Sequence, residues 1–551
     1  MTSTRLESIL VRKKLQQAAM PVGIPRSLNE LTGMLFAAAR LAVLVAAFVV
    51  LDRTLAAHAQ LPIESYETTF LTWRFLSSLD VASYAIVAAI LAGFALAKTH
   101  QLRWSAFAHG ATLKWLSFVC AAALAGNFAT SDRNFYVDQT FAIDRILLVL
   151  TAAAILYRPW LCLPFLLVVL PYRAQFLQPI GGYFPAETLP LVSIIAFICI
   201  RLALIPLLGR THVVLDLMIL AVCVQASCFA VPGLAKLKMG WLDNNASHLL
   251  PLHAYTRGWA NWIDPGPWLQ FAMELGRWDW ASRIAVIVLE AGSIALLLHR
   301  HIACVWMLGW LLFVTGLACI IGYFFLYWAA LSVALLILLR SRGSSQIEPS
   351  APILPFGIPL GFMGIVLIGT SAYWLRPASL AWFDTPLGYH CEIQATTDDG
   401  QRVRLAPDFF RPYSDPFTMG GFDFLIDGPL LVSPYGITGS REAVDALRNA
   451  TTENVLEVER SLGKNRYRES ATEGFDDFLR RFINHYQASS ARRGWYASLH
   501  PPPLLNVRPT DTIRDTGKRI TSVDIVHVTT FFDDQAMHTI RRQIIRSVAI
   551  P

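Results

Sequence analysis

Charged residues are scarce in this chain. Only 15% of its 551 residues are Asp, Glu, Lys or Arg, where a soluble protein carries about 25%. The shortfall is local. Residues 30–375 are mostly apolar runs, and 376–551 reads as an ordinary globular sequence. That split excludes a uniformly soluble fold. It predicts a membrane domain followed by a water-soluble one. The net charge of +7 does not point to nucleic acid. Much of the excess flanks apolar runs, at Arg12, Lys13 and Lys14, at Lys98 and Arg103, and at Arg340 and Arg342. The soluble part has no compact basic patch with interleaved aromatics.

Other absences narrow the chemistry. The eight cysteines show no Cys-x-x-Cys spacing and no histidine at metal distance, so no metal site is expected. Seven of them (Cys120, Cys162, Cys199, Cys223, Cys228, Cys304 and Cys319) lie in apolar segments and read as small buried hydrophobes. Cys391 stands alone in the soluble part, which excludes an internal disulfide there. No phosphate loop or serine nucleophile elbow is present. Residues 1–30 are polar and basic and lack the short apolar core and cleavage site of a signal peptide. The first apolar helix is therefore expected to stay as an anchor.

The apolar runs fall at 31–52, 83–98, 113–130, 140–157, 159–172, 190–209, 211–231, 281–298, 303–320, 322–340 and 352–374. A span needs about 20 apolar residues. The fifth run is short and holds Pro159, Pro164 and Pro171, so the expectation is an all-α bundle of ten or eleven helices. Basic residues mark cytoplasmic loops. With eleven spans, the N-terminus, Lys98–Lys114, His299–His301 and Arg340–Arg342 share that side. The C-terminal domain is then extracytoplasmic. Segment 240–280 carries six tryptophans and reads as an interfacial cap on the same outer side.

The domains expected are a basic segment at 1–30, a membrane domain at 31–375 and a soluble α+β domain at 376–551. In the last, Tyr389–Thr396 and Gln401–Ala406 flank an Asp-Asp-Gly turn, a hairpin signal. Helical periodicity covers 442–462 and 473–486, and 520–530 alternates as a strand.

Two charges inside apolar helices stand out. Lys236 ends the run that precedes the Trp-rich segment, and Glu290 lies within Arg283-Ile-Ala-Val-Ile-Val-Leu-Glu-Ala-Gly. An intramembrane charge is expensive, so it either snorkels to water, pairs, or does chemistry. A lysine serves as a base only when its surroundings disfavour the ammonium. Lys238, two residues on, adds like-charge repulsion if it stays close. Asp144 with Arg145, and Arg201 with Asp216, read as packing ion pairs.

The stretch Pro232-Gly-Leu-Ala-Lys-Leu-Lys-Met-Gly-Trp resembles the vitamin K-dependent gamma-carboxylases and the wider HTTM (horizontally transferred transmembrane) family. Pro232, Gly233, Leu234, Lys236, Leu237 and Trp241 match that family's motif, with Ala235 in place of its first lysine. The resemblance implies a membrane bundle with an outer catalytic face and a β-containing outer domain. It implies Lys236 as the base toward a reduced naphthoquinone, Glu290 as its partner or proton relay, and a lyase that carboxylates glutamate. Gly233, Leu237, Trp241, Asn134, Tyr136, His248 and His253 are the pocket residues expected from it. The chain departs from the pattern where Phe135 follows Asn134 in place of histidine, and where helix 303–320 has no histidine past His301. His248 and His253 are the possible substitutes. Two other readings stand beside this one. The first is a non-catalytic membrane binding or scaffold protein that recognises a peptide or lipid. The second is a transporter, disfavoured because no repeat of broken helices is visible.

Overall fold

A computed structural model describes residues 28–107, 109–131, 139–175, 186–297, 300–323, 325–340, 358–410, 413–488 and 518–551. Each of the eleven apolar runs holds a helix. Among the described residues, five helical stretches are long and apolar enough to cross a membrane: Leu35–Ala59, Gly110–Thr130, Val213–Met239, Asp279–Leu297 and His301–Ile321. A sixth is available if Leu71–Ser77 and Val81–Leu96, bent by 108° at their junction, count as one span. The remaining apolar helices are shorter, as with Pro159–Ala174, Leu189–Ala203 and Leu326–Arg340. The fold is thus a mainly helical membrane-type bundle followed by a strand-containing region.

Two helices form its centre. Leu189–Ala203 is buried along its whole length, and 94% of the apolar window of Val213–Met239 is buried. A helix that is apolar all round is one that neighbours enclose. The peripheral stretches are buried over only 22–28% of theirs, as in Leu35–Ala59, Asp279–Leu297 and His301–Ile321. Their exposed side chains include Val50, Val288, Val305 and Leu312, which suits a surface solvated by lipid tails.

The C-terminal part contains β1 (Phe383–Asp384), β2 (Leu387–Thr397), β3 (Arg402–Leu405), β4 (Pro429–Leu430), β5 (Ile437–Thr438), β6 (Lys464–Asn465), β7 (Ile520–Phe532) and β8 (Met537–Ala549). Four of them form an antiparallel sheet in the order β3-β2-β7-β8. The expected hairpin is there, with Gly400 at φ +81° in the turn. Helix Glu469–Ala488 buries Phe475, Phe478, Leu479, Phe482 and Ile483. These meet Phe410, Tyr413, Phe417 and Phe422 in an aromatic core.

The C-terminal region sits on the end of the bundle that carries Lys236. Arg376 pairs with Asp52, Arg481 with Glu67 at 3.1 Å, and Arg448 donates to the Asn244 carbonyl at 2.8 Å. The 240–280 segment lies between the two parts as three short helices, Trp241–Asn244, Leu249–Thr256 and Pro265–Arg277. Trp241 and Trp268 are buried in it, and Trp262, Trp278 and Trp280 are exposed.

Candidate functional site

The Val213–Met239 helix carries Pro232 and Gly233 in its last two turns. A Cβ at Gly233 would lie 2.3 Å from the backbone nitrogen of Ala291 and 2.7 Å from the Glu290 Cβ. Glycine is therefore what lets this helix touch Asp279–Ala291 backbone to backbone. Lys236 follows Gly233 by three residues, so both lie on the contact face.

The result is a buried, two-pronged ion pair. The Lys236 ammonium donates to Glu290 Oε1 at 2.6 Å and to Oε2 at 2.7 Å. The two side chains are 10% and 6% exposed, so Lys236 does not snorkel to water. Charge-assisted bonds of this length are strong, and removing either partner would strand the other charge in an apolar wall. The ammonium also lies 5.6 Å from the centre of the Trp241 ring. Trp241 packs with Ile287, Phe383 and Val444, so the pair is roofed by residues of the C-terminal region.

Asp384, at the end of β1, brings a second carboxylate toward the pair. Its Oδ2 accepts from the Asn245 side-chain amide at 2.8 Å, and its backbone N–H donates to Asn245 Oδ1 at 2.7 Å. Burial pushes the Asp384 carboxyl up to about 6. The Asn245 amide, the Lys236 ammonium and the Trp382 side chain pull it back down. Two polar atoms here are buried without a hydrogen-bond partner, the indole Nε1 of Trp241 and Oδ1 of Asp384. One is a donor and the other an acceptor, and such orphans are costly unless a ligand or water completes them.

The other expected pocket residues fall in different places. Leu237 is 42% exposed. Lys238 is exposed too, roughly 200° around the helix from Lys236. The like-charge repulsion expected from Lys238 therefore has no close geometry behind it. Neither histidine bonds to Lys236. His248 donates from Nδ1 to Asp279 at 2.7 Å, which ties the Trp-rich segment to the start of the Glu290 helix. His253 is buried between Gly388 and Gly436 and donates from Nε2 to the Thr385 carbonyl at 2.7 Å. Burial pushes it down to about 4, with the Thr385 carbonyl opposing and Arg257 assisting. It is a neutral bolt between the segment and the C-terminal sheet. Asn134 and Tyr136 lie outside the described residues.

Sequence reasoning missed Asn245 and Asp384. Nothing local to Asn245-Ala-Ser247 marks a buried amide, and nothing local to Trp382-Phe-Asp-Thr385 marks a carboxylate destined for burial. Asp144 and Arg145 do not pair with each other as expected. Asp144 instead caps the Leu71–Ser77 helix, accepting from the backbone N–H groups of Leu71 and Thr72 at 2.9 and 2.8 Å. Arg145 donates to the carbonyls of Ala129, Ser131 and Thr140.

Comparison of the chain with protein-family models, with curated proteins and with solved structures gives no match.

Proposed function

We propose that the chain is a multi-pass membrane protein of ten or eleven spans, of the HTTM, gamma-carboxylase-like kind. In this reading Lys236 and Glu290 form a proton-transfer pair for a quinol, at the extracytoplasmic face that carries the C-terminal domain. The observation that carries the reading is the bidentate contact between the Lys236 ammonium and a buried carboxylate.

A protonated lysine is no base. The geometry offers a route to the neutral amine, because a proton on Nζ already points at both Glu290 oxygens. Transfer of that proton breaks one N–H bond, forms one O–H bond and leaves two neutral groups, which a dry, apolar site tolerates better than two charges. The amine is then free to take a phenolic proton. The orphaned Trp241 Nε1–H and Asp384 Oδ1 fit a hydroquinone, whose oxygens accept and whose hydroxyls donate. Lys236, Trp241 and Asp384 are the residues that would hold such a group. A reduced naphthoquinone supplies two-electron redox chemistry when bound. Glutamate carboxylation by a lyase is the further step that the family resemblance implies. The absent histidines stand against it, and the described pair has no histidine bonded to it.

The test is consumption of reduced naphthoquinone under dioxygen by the full-length protein in lipid nanodiscs. The wild type should turn it over, and Lys236→Ala should lose about 10²–10⁴ of the rate, the usual share of a general base. Equal rates in both proteins sink the proposal.

A second reading has its own observation. Arg257 donates to three carbonyls of the C-terminal region, those of Thr418, Met419 and Tyr389. Its guanidinium stacks 3.8 Å from the centre of the Tyr435 ring. So rigid a mount suits a non-catalytic scaffold whose outer domain presents a surface to a peptide or lipid. Under that reading Lys236→Ala lowers stability and no quinol is consumed by either protein.

A further inference from the structure

A second buried charge cluster lies at the other end of the lysine helix. Asp216 stands 20 residues before Lys236 in Val213–Met239. At about 1.5 Å per residue the two sites are about 30 Å apart, the thickness of a bilayer's hydrocarbon core. The two clusters therefore mark opposite membrane boundaries.

Asp216 takes two arginines. Arg201 donates from Nε to Oδ2 at 2.9 Å, and Arg40 donates from Nη2 to Oδ1 at 3.1 Å. The side chains of Arg201 and Asp216 are 0% and 1% exposed, and that of Arg40 is 13%. Arg201 also donates to the Gly209 carbonyl at 3.0 Å, and its Nη1 is buried without a partner. Among the described residues no other carboxylate pairs with either arginine. Two guanidinium groups and one carboxylate leave one positive charge uncompensated at the edge of an apolar bundle. Such a charge is expensive unless an anion meets it.

The surroundings say where the anion comes from. Arg210, Lys98 and His212 are exposed around the cluster, with Arg210 donating to the Ala97 carbonyl at 3.0 Å. The rim is thus cationic. On the Arg40 helix, Leu35 and Phe36 are 63% and 65% exposed and offer an apolar wall beside the charge. Cation and apolar wall together match an amphiphile, not a bare ion.

We propose that Arg40, with Arg210 and Lys98 at the rim and the charge of Arg201 behind it, binds the phosphate headgroup of an anionic phospholipid at the membrane face opposite the C-terminal domain. Arg40 is the contact residue, since Arg201 is sealed behind it. Asp216 holds both guanidinium groups in place and competes with the phosphate for Arg40.

The experiment is native mass spectrometry and thermal melting of the purified full-length protein in detergent, with phosphatidylglycerol, phosphatidylcholine or inorganic phosphate added. Phosphatidylglycerol should be retained and should raise the melting temperature, and phosphatidylcholine should do neither. Arg40→Gln should lower retention about fivefold, the weight of one basic residue at an anionic surface. Arg210→Gln, on the exposed rim, should lower it as well, by less. Asp216→Asn should raise it, because the competing carboxylate is gone. Equal retention of the two lipids overturns the proposal, as does unchanged retention in both arginine variants. Stabilisation by inorganic phosphate equal to that by phosphatidylglycerol overturns the lipid assignment in favour of a free anion.

Discussion

At the residue scale, Lys236 and Glu290 are legible because charge in an apolar run has to be explained by something. The sequence offers both, and the structure joins them at 2.6 Å. Asp384 is the opposite case. It follows Leu380-Ala-Trp-Phe with no charge pattern around it, and only tertiary folding buries it beside Asn245 and Lys236. His248 and His253 look like substitutes for missing histidines because a histidine near a lysine is suggestive on paper. Their partners, Asp279 and the Thr385 carbonyl, sit far along the chain or beyond the reach of local pattern. Asp384 also yields a pH prediction with a definite sign. Its carboxyl is raised from 3.8 to about 6 in the folded protein, so the folded state binds a proton more tightly than the unfolded chain. The stabilisation this gives is present below pH 4 and is lost as pH rises to about 6. Its full extent is about 3 kcal/mol. Asp384→Asn removes the titration. Melting curves between pH 4 and pH 7 should show the wild type losing ground to Asp384→Asn as pH rises. Parallel curves would contradict the assignment.

At the scale of elements, hydrophobic runs predict helices well and spans less well. Every run expected to be helical holds a helix, yet among the described residues five to six are long and apolar enough to cross a bilayer. Helices such as Leu189–Ala203, with 15 residues, fall short of the about 20 that a span needs. The expected helix at 442–462 is two helices, Arg441–Arg448 and Val455–Leu462. The intervening Asn449-Ala-Thr-Thr-Glu-Asn454 favours turns over helix, since Asn and Thr side chains bond their own backbone. There the Asn454 side chain accepts from the Thr451 N–H at 2.7 Å. Strand β8 escaped detection because Arg541, Arg542 and Arg546 break its alternation. Those arginines pair with the buried acids Glu459, Glu392 and Asp476, partners a linear reading does not see. The crossing of the lysine and glutamate helices is the element on which the site depends. Gly233→Ala puts a methyl 2.3 Å from the Ala291 nitrogen, so the helices must separate. Overpacking of this kind costs about 1–3 kcal/mol. Thermal unfolding of Gly233→Ala should register that loss, with quinol turnover falling as the ion pair lengthens. Unchanged stability would show that the close crossing is dispensable.

At the scale of the whole molecule, the ion pair sits where three parts of the chain meet. The bundle supplies Lys236 and Glu290, the Trp-rich segment supplies Trp241 and Asn245, and the C-terminal region supplies Asp384 and a roof of Phe383 and Val444. The division into an apolar part and a globular part is plain in composition. That the globular part closes over the lysine is not, because its contacts run through backbone carbonyls and buried amides that carry no sequence signature. The central claim is that a proton moves between Lys236 Nζ and the Glu290 carboxylate when a quinol binds. Infrared difference spectroscopy of the full-length protein in nanodiscs, with and without reduced naphthoquinone, reads that proton directly. The account predicts a protonated-carboxyl stretching band on quinol addition that shifts with ¹³C-labelled glutamate and vanishes in Glu290→Gln. A bound quinol with no such band, or the same band persisting in Glu290→Gln, contradicts it.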